Sequence, residues 1–334
     1  MVSFLPMRIY ILALDGVFDT GLSTILDTFS IANDLAEPAG TPSVHFEVTV
    51  VGVRRQVHTR QGLSVPVVPA AQLARPDIAL IPALGAKMPE TLRVALERRD
   101  VADAGVLLRE WSDVGALVGA ACTGTFVLAN TSLLDGQSAT TSWWLAPLFR
   151  ERYPRVTLEE SRMVVGSSRF VTAGAALAHI DLALWLVRRS SPALAALTAR
   201  FLVIDPRPSQ AVFMIPDHLM HTDPLIERFE QWARQRLADG FSLSGAASAT
   251  GTSERTLARR LKNVLGKTPL SYFQDLRVER AIHLLQTSND SVDLIAARVG
   301  YANGATLRTL LRRRIGRSVS ELRAGLTTIG TPAP

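Results

Sequence analysis

Over residues 1–200, short apolar runs alternate with longer segments of helical spacing. Residues 8–14 (RIYILAL) form an unbroken apolar run stopped by Asp15-Gly16. Residues 46–51 (FEVTVV), 77–82 (DIALIP) and 116–121 (ALVGAA) form three more. Runs without polar alternation fit strands covered on both faces. Between them, residues 23–35 and 91–111 space their apolar side chains as helices do. Residues 175–189 do the same and place an Arg pair in the last turn, where cations suit a helix end. Strand, helix, strand at these lengths predicts βαβ units: a mostly parallel α/β sheet with helices on both faces.

The pattern changes after Asp205-Pro206-Arg207-Pro208-Ser209, a cluster of chain breakers. Strand signals vanish from Asp223 onward. Helical spacing recurs over about 224–238, 243–250, 253–265, 269–286, 292–298, 305–314 and 319–323. The expected organisation is an α/β domain at 1–204, a linker at 205–220, an all-α domain at 221–325 and a tail at 326–334.

The helical third contains an internal repeat. Ala246-Ala247-Ser248-Ala249-Thr250-Gly251 matches Ile295-Ala296-Ala297-Arg298-Val299-Gly300, and the helix after each glycine carries matched leucines, Leu257 with Leu307 and Leu261 with Leu311. Each copy stops at a glycine, Gly266 or Gly316. The second turn is longer by one residue. A short helix, a glycine turn and a second, basic helix is the helix-turn-helix signature. Glycine permits the positive φ of the tight turn, and Ser253 is placed to N-cap the second helix. Leu257, Leu261 and Val264 are expected to face the core.

Charge sharpens this picture. The net charge is +6, residues 1–216 balance with 19 charges of each sign, and residues 217–334 hold 17 basic against 11 acidic side chains. Within residues 253–323 the count is 14 against 6. A basic helical third points to a polyanion such as double-stranded DNA. Arg255 and Arg259 lie four apart on one helix face and suit guanine O6 and N7. Arg260 and Lys262 are expected at phosphates. In the second copy Arg308, Arg312, Arg313, Arg314 and Arg317 supply charge. Gly304-Ala305-Thr306-Leu307 offers only short side chains for base reading. The second copy should therefore anchor on the backbone and add affinity more than sequence choice.

Residues 221–325 resemble the AraC/XylS-type DNA-binding domain, two helix-turn-helix units joined by a long helix. The carriers are Gly251-Thr252-Ser253-Glu254-Arg255-Thr256-Leu257-Ala258-Arg259-Arg260-Leu261, Gly266-Lys267-Thr268-Pro269, Arg277, Ala281 and Leu285, and Ser291-Val292, Ile295-Ala296 and Val299-Gly300-Tyr301. The resemblance implies base-reading positions at Arg255, Ala258 and Arg259 and, in the second unit, at Gly304, Ala305, Arg308 and Thr309. The chain departs from the pattern at Thr309, where an arginine is frequent, and at Val319, where proline is usual.

The chain holds one cysteine, Cys122. An intramolecular disulfide and a zinc cluster of cysteines are excluded, and no metal or cofactor is expected. Ala120-Ala121-Cys122-Thr123-Gly124-Thr125 follows an apolar run and leads into a helix-like stretch, 126–133. A strand-to-helix turn that carries a nucleophile has the elbow geometry of many hydrolases, with helix dipole and backbone N–H groups at hand. Two readings of Cys122 stay open. It is a nucleophile, with Asp15 or Asp19 and a histidine as partners, or a small apolar core residue. Of His45, His58, His179, His218, His221 and His283, none adjoins the elbow in sequence, and His179 lies in an apolar helix.

Residues 7–190 resemble the PfpI-type, class I glutamine amidotransferase-like family, a flavodoxin-like α/β sandwich. The carriers are Ile81-Pro82-Ala83-Leu84-Gly85, Cys122-Thr123-Gly124-Thr125-Phe126, Leu133-Leu134-Asp135-Gly136, Ala139-Thr140-Thr141-Ser142-Trp143 and Phe170-Val171-Thr172-Ala173-Gly174. The resemblance implies a carboxylate beside the cysteine, matched to Asp19. It also implies a histidine where this chain has Ser142. Asp19, Gly85, Cys122, Thr123 and Trp143 are the expected lining of a ligand crevice at the carboxyl ends of the strands.

Both halves in this order resemble GlxA-type transcriptional regulators. The resemblance implies a sequence-specific DNA-binding regulator of bacterial type, controlled by a small-molecule effector or by homodimerisation through the α/β half. Its partners would be promoter DNA and, for an activator, RNA polymerase. The alternative is a thiol-dependent hydratase or amide hydrolase that uses Cys122. No run of 18 apolar residues and no secretory leader pattern is present, so the expected location is the cytoplasm, with no membrane partner.

Overall fold

The computed structural model describes residues 6–41, 44–205, 207, 209–214 and 223–324. It divides into two units, Met1–Gln210 and Ala211–Pro334. In the first unit the strands are β1 (Met7–Leu12), β2 (Phe46–Gly52), β3 (Val57–His58), β4 (Ser64–Val65), β5 (Val68–Pro69), β6 (Ile78–Ile81), β7 (Leu117–Ala121), β8 (Ser138–Ala139), β9 (Thr157–Leu158), β10 (Val164–Gly166) and β11 (Phe170–Ala173). Seven of them form one sheet in the order β10-β11-β7-β6-β1-β2-β5. Every neighbouring pair in it is parallel except β10 with β11. The four apolar runs seen in the sequence became β1, β2, β6 and β7. The remaining strands span two to four residues, too short to leave a readable period.

The helices of this unit are α1 (Asp19–Leu35), α2 (Pro89–Leu96), α3 (Arg99–Asp113), α4 (Gly124–Ala129), α5 (Ala146–Arg152), α6 (Ala178–Ser190) and α7 (Pro192–Phe201). Alternation along β1 assigns them to two faces. Ile9, Ile11 and Ala13 pack with Ile25 and Phe29 of α1, Leu182 and Leu186 of α6 and Leu194 of α7. Tyr10, Leu12 and Leu14 pack with Leu92 of α2, Leu108 of α3, Phe126 of α4 and Leu148 of α5. Each buried Ile, Leu or Phe among these contributes about 1.5–3 kcal/mol. The sheet is thus covered on both faces, as the unalternated runs predicted.

The expected helices differ in extent, α6 least, starting at Ala178 instead of residue 175. The one expected over 91–111 is two, because Arg98 takes an extended ψ of 148° between α2 and α3. Its side chain is tied to Asp100 through Nε (2.9 Å) and to the Asp15 carbonyl (2.7 Å). The helix after Cys122 stops at Ala129, and Ser132 turns to a φ of +64°. The first helix starts at Asp19 instead of residue 23, since Asp19, Thr20 and Gly21 carry no apolar period. The first unit also runs past residue 204. Ser209 bridges Arg162, and the buried Gln210 amide donates to Glu160 O (2.8 Å) and Thr141 O (2.9 Å).

The chain leaves β1 toward β2 on one side and returns to β6 on the other. The connections therefore diverge between β1 and β6. In open parallel sheets such a divergence opens a crevice beyond the strands' carboxyl ends.

The second unit holds α8 (Pro224–Arg234), α9 (Leu243–Thr250), α10 (Glu254–Leu265), α11 (Pro269–Thr287), α12 (Val292–Arg298), α13 (Gly304–Ile315) and α14 (Val319–Ala324). All seven expected helices are present; α8 is shorter than 224–238 by one turn. Leu257, Leu261 and Leu265 are the buried residues of α10, so Leu265 takes the core place expected of Val264, which is only half-buried. His218, His221 and the tail 326–334 lie outside the described residues. Among the described residues no helix is long and apolar enough to cross a membrane.

Candidate nucleic-acid interface and ligand cleft

In the first helix-turn-helix unit, α9 ends at Gly251 with φ +70°, and Ser253 N-caps α10 by accepting from Thr256 N (3.2 Å). In the second, Gly300 has φ +77° and Asn303 Oδ1 accepts from Thr306 N (2.9 Å) to cap α13. Cap follows glycine by two residues in one copy and three in the other, which is where the repeat's extra residue sits. Matched Leu257 and Leu307, and Leu261 and Leu311, are fully buried. Gly266 and Gly316 close both basic helices at φ +70° and +76°.

With the leucines inward, α10 turns Arg255 and Arg259 to solvent. Ala258 between them is half-buried. Among the described residues neither arginine has an ion-pair partner. Arg260 does: its Nε bonds Asp223, the N-cap of α8. Lys262 Nζ donates to Gly266 O (3.1 Å) at the end of its own helix. Both were expected to be free for phosphates, and both are engaged within the unit. On α13, Arg308, Arg312 and Arg313 are exposed. Arg308 and Arg312 line a cavity of about 370 Å³ together with Ser318, Ser320 and Arg323. Arg314 is held by Asp275 at 2.7 Å, an acid that also binds Lys267 at 3.0 Å. It is therefore not the free anchor the run of three arginines implied. Thr309 Oγ1 donates to Ala305 O (3.1 Å) in its own helix.

Arg277 of α11, expected only as a motif residue, ties the second turn to the segment between α8 and α9. It is buried, its Nε donates to Leu237 O (2.9 Å), and its guanidinium lies over the rings of Phe273 (4.8 Å) and Tyr301 (5.4 Å).

In the first unit, Cys122 follows β7 at φ +55°, a conformation costly for a residue with a Cβ. Its N–H donates to Ala173 O (2.9 Å), and Thr141 Oγ1 donates to its carbonyl (2.7 Å). Gly124 follows because a Cβ there would stand 2.4 Å from Ile81 O. The elbow exists, but the thiol is 4% exposed. Sγ lies 2.8 Å from Ser142 Oγ. Burial pushes the thiol pKa up, against weaker opposing pulls from Ser142, Thr123 and Lys87. Sγ thus meets a hydroxyl and not a carboxylate. Asp19 instead accepts from Gln61 N (3.3 Å) through one oxygen, and its other oxygen is buried without a hydrogen bond. His179 is fully buried: Nδ1–H donates to Ala176 O (2.6 Å) and Nε2 accepts from Ala83 N (3.0 Å). Burial lowers its pKa to about 4, so the ring is neutral.

The cleft of the α/β unit lies at the β1/β6 divergence. It has a volume of about 620 Å³ and is lined by Gly16, Arg60, Leu84, Gly85, Lys87 and Arg98, among others. Of the expected lining only Gly85 is there. Thr123 lies beneath, with Oγ1 donating to Leu84 O (2.8 Å). Trp143 is half-buried and packs edge-on against Trp144 at 5.6 Å. Among the described residues no group of three or more His, Cys, Asp or Glu is placed to hold a metal.

Residues 7–189 match the model of the DJ-1/PfpI family. The chain belongs to this family. Residues 246–325 of this DJ-1/PfpI chain match the model of a helix-turn-helix domain, so an AraC-type DNA-binding region follows the α/β domain. The chain is 26% identical over 214 residues to the HTH-type transcriptional regulator GbdR of Pseudomonas aeruginosa, covering 63% of this chain and 58% of GbdR. It is 27% identical over 216 residues to the regulator ArgR of the same species, covering 64% and 65%. Over 105 residues it is 38% identical to the activator RhaS of Escherichia fergusonii, covering 31% and 38%. The match thus spans under two thirds of each relative. The crystal structure of an AraC family transcriptional regulator from Pseudomonas putida superposes on 59% of this chain and all of that one, with TM-score 0.50 and 19% identity; this likeness is one of fold.

Sequence reasoning about this DJ-1/PfpI domain missed Arg60, Lys87 and Arg98 as cleft residues. They come from three separate loops that only the sheet order brings together. The signal available was Gly85: a Cβ there would stand 2.5 Å from the Arg60 stem.

Proposed function

We propose that this protein is a sequence-specific, double-stranded-DNA-binding transcriptional regulator whose α/β domain receives a small-molecule effector and pairs two copies. The observation that carries the reading is the pair Arg255 and Arg259, exposed one turn apart on α10, the second helix of a helix-turn-helix unit. Arg308, Arg312 and Arg313 supply backbone contacts from α13. The relatives named as transcriptional regulators support it. Promoter DNA, and RNA polymerase for an activator, are the implied macromolecular partners, and the cytoplasm the implied location.

Cys122 has no catalytic part in this reading. A buried thiol with a raised pKa and a serine for neighbour lacks both thiolate and base. The test is capture of genomic fragments by the full chain, with affinity measured against salt. A recurring motif, bound with log K falling linearly in log salt, is the expected result. Fragments without a common motif, or none retained at physiological salt, would refute the reading.

A further inference from the structure

The cleft at the β1/β6 divergence has a built floor. Gly16 N donates to His58 O (2.7 Å), Arg60 N to Val17 O (2.8 Å), Gly85 N to Gly16 O (2.7 Å) and Phe18 N to Ala83 O (2.7 Å). Three loops, after β1, β3 and β6, are thereby stitched into one surface. Arg60 lies directly on Gly85: a Cβ at that glycine would stand 2.5–2.7 Å from Arg60 Cβ, Cγ and Cδ. The absent side chain is what lets the arginine stem cross the floor.

The cations around the cleft are not equivalent. Arg98 is committed to Asp100 and to the Asp15 carbonyl. Lys87 rests its ammonium 4.5 Å from the Phe18 ring centroid, a contact that leaves its three donors available. Among the described residues the Arg60 guanidinium has neither a hydrogen bond nor an ion pair. Two uncommitted cations thus face one concavity whose remaining wall includes the exposed Met88, the nearly buried Leu84 and Ala95, and the polar Gln61 and Thr91. An arginine fork beside an ammonium suits a carboxylate, and an apolar wall suits the hydrocarbon attached to it. Inorganic phosphate would satisfy the cations and leave the apolar wall wet.

We infer that this cleft is the effector site and takes a small organic carboxylate, its anionic group on Arg60 and Lys87 and its apolar body over Leu84 and Met88. The inference rests on the regulator reading for the word effector, and on the cleft alone for the ligand. The site is displaced from the Cys122 elbow by one strand, which frees ligand binding from the thiol.

Saturation-transfer NMR on the full chain tests it, with 3-phenylpropionate and its neutral amide, 3-phenylpropionamide, as paired probes. Transfer to the carboxylate should exceed that to the amide by about tenfold, and fall to the amide's level in Arg60→Ala/Lys87→Ala. Gly85→Ala, which evicts the Arg60 stem, should also abolish the preference. Arg60→Gln/Lys87→Gln repeats the test with longer side chains should the alanine pair fail to fold. Equal transfer to both probes, none to the carboxylate, or a preference that survives the variants overturns the proposal. Retention of DNA fragments by the same samples keeps the two readings apart. In the unsubstituted chain, absence of a carboxylate preference with DNA still bound sinks the cleft assignment alone, and a preference kept with DNA binding absent sinks the regulator reading alone.

Discussion

Ser142 Oγ lies 2.8 Å from Cys122 Sγ, and both residues are buried. A hydroxyl cannot take the thiol's proton, and burial holds the proton in place. Iodoacetamide should therefore label the folded protein slowly at pH 8 and the denatured chain quickly. The rate profile of the folded form should have its midpoint above the ordinary thiol value of ~8.5. A midpoint below that value would restore a reactive cysteine.

Arg255 and Arg259 should behave differently from Arg312 and Arg313. Alanine at either of the first pair should cost about 1–3 kcal/mol on the preferred site and relax base choice. Alanine at either of the second pair should weaken all sequences alike and lower the salt slope by about one. Fluorescence anisotropy with preferred and scrambled duplexes separates the two effects, and equal losses on both duplexes for Arg255→Ala and Arg259→Ala would reassign those residues to the backbone.

Arg314 is expected to serve the fold more than the DNA, because Asp275 holds its guanidinium. Its half-buried pair with Asp275 is worth about 0.5–1 kcal/mol. Arg314→Ala should lower the free energy of urea unfolding by that amount and leave the salt slope of DNA binding within error, whereas Arg313→Ala should do the reverse.

The sequence disclosed what depends on local pattern and hid what depends on assembly. The apolar runs at 8–14, 77–82 and 116–121 became β1, β6 and β7, which are buried along most of their length, whereas β2 keeps Glu47 exposed and Thr49 half-buried. The leucine and glycine matches between the two helix-turn-helix copies located both turns, because the left-handed φ of Gly251 and Gly300 and the buried leucines follow from the same repeat. Long-range pairing was not legible. Nothing in the run Arg312-Arg313-Arg314 marks which guanidinium meets Asp275, and nothing near Arg260 points to Asp223. The cleft was displaced for the same reason: the elbow motif is contiguous in sequence, whereas Gly16, Arg60 and Gly85 converge only through strand order.

The two turn glycines should differ in what they tolerate. An alanine at Gly251 meets nothing within 4 Å and pays only for a left-handed backbone, about 1–2 kcal/mol. At Gly300 the added Cβ would stand 2.2 Å from Arg277 Nη2 and 2.3 Å from Leu237 O. Backbone strain is then joined by displacement of the buried arginine, whose Nε–H bond to Leu237 O would be lost at a further ~1–3 kcal/mol. Urea unfolding of the two variants should rank Gly300→Ala well below Gly251→Ala. Near-equal stabilities would show that Arg277 relaxes without cost.

His179 should make the α/β domain acid-sensitive. Its folded pKa of about 4 lies below the ordinary imidazole value of 6.5, because burial disfavours the charged ring and outweighs the opposite pull of the Ala176 carbonyl on Nδ1–H. The unfolded chain therefore binds a proton that the folded one refuses. This contribution to stability is complete above pH 6.5, falls as the pH drops, and is exhausted below pH 4. The full span is about 3 kcal/mol, of which ~2 kcal/mol is lost between pH 7 and pH 5. In His179→Gln, which keeps an acceptor for Ala83 N and cannot titrate, the loss over that interval should shrink by about the same ~2 kcal/mol. Urea unfolding of both proteins at the two pH values measures it; identical pH dependence would mean that the imidazole is protonated in the fold.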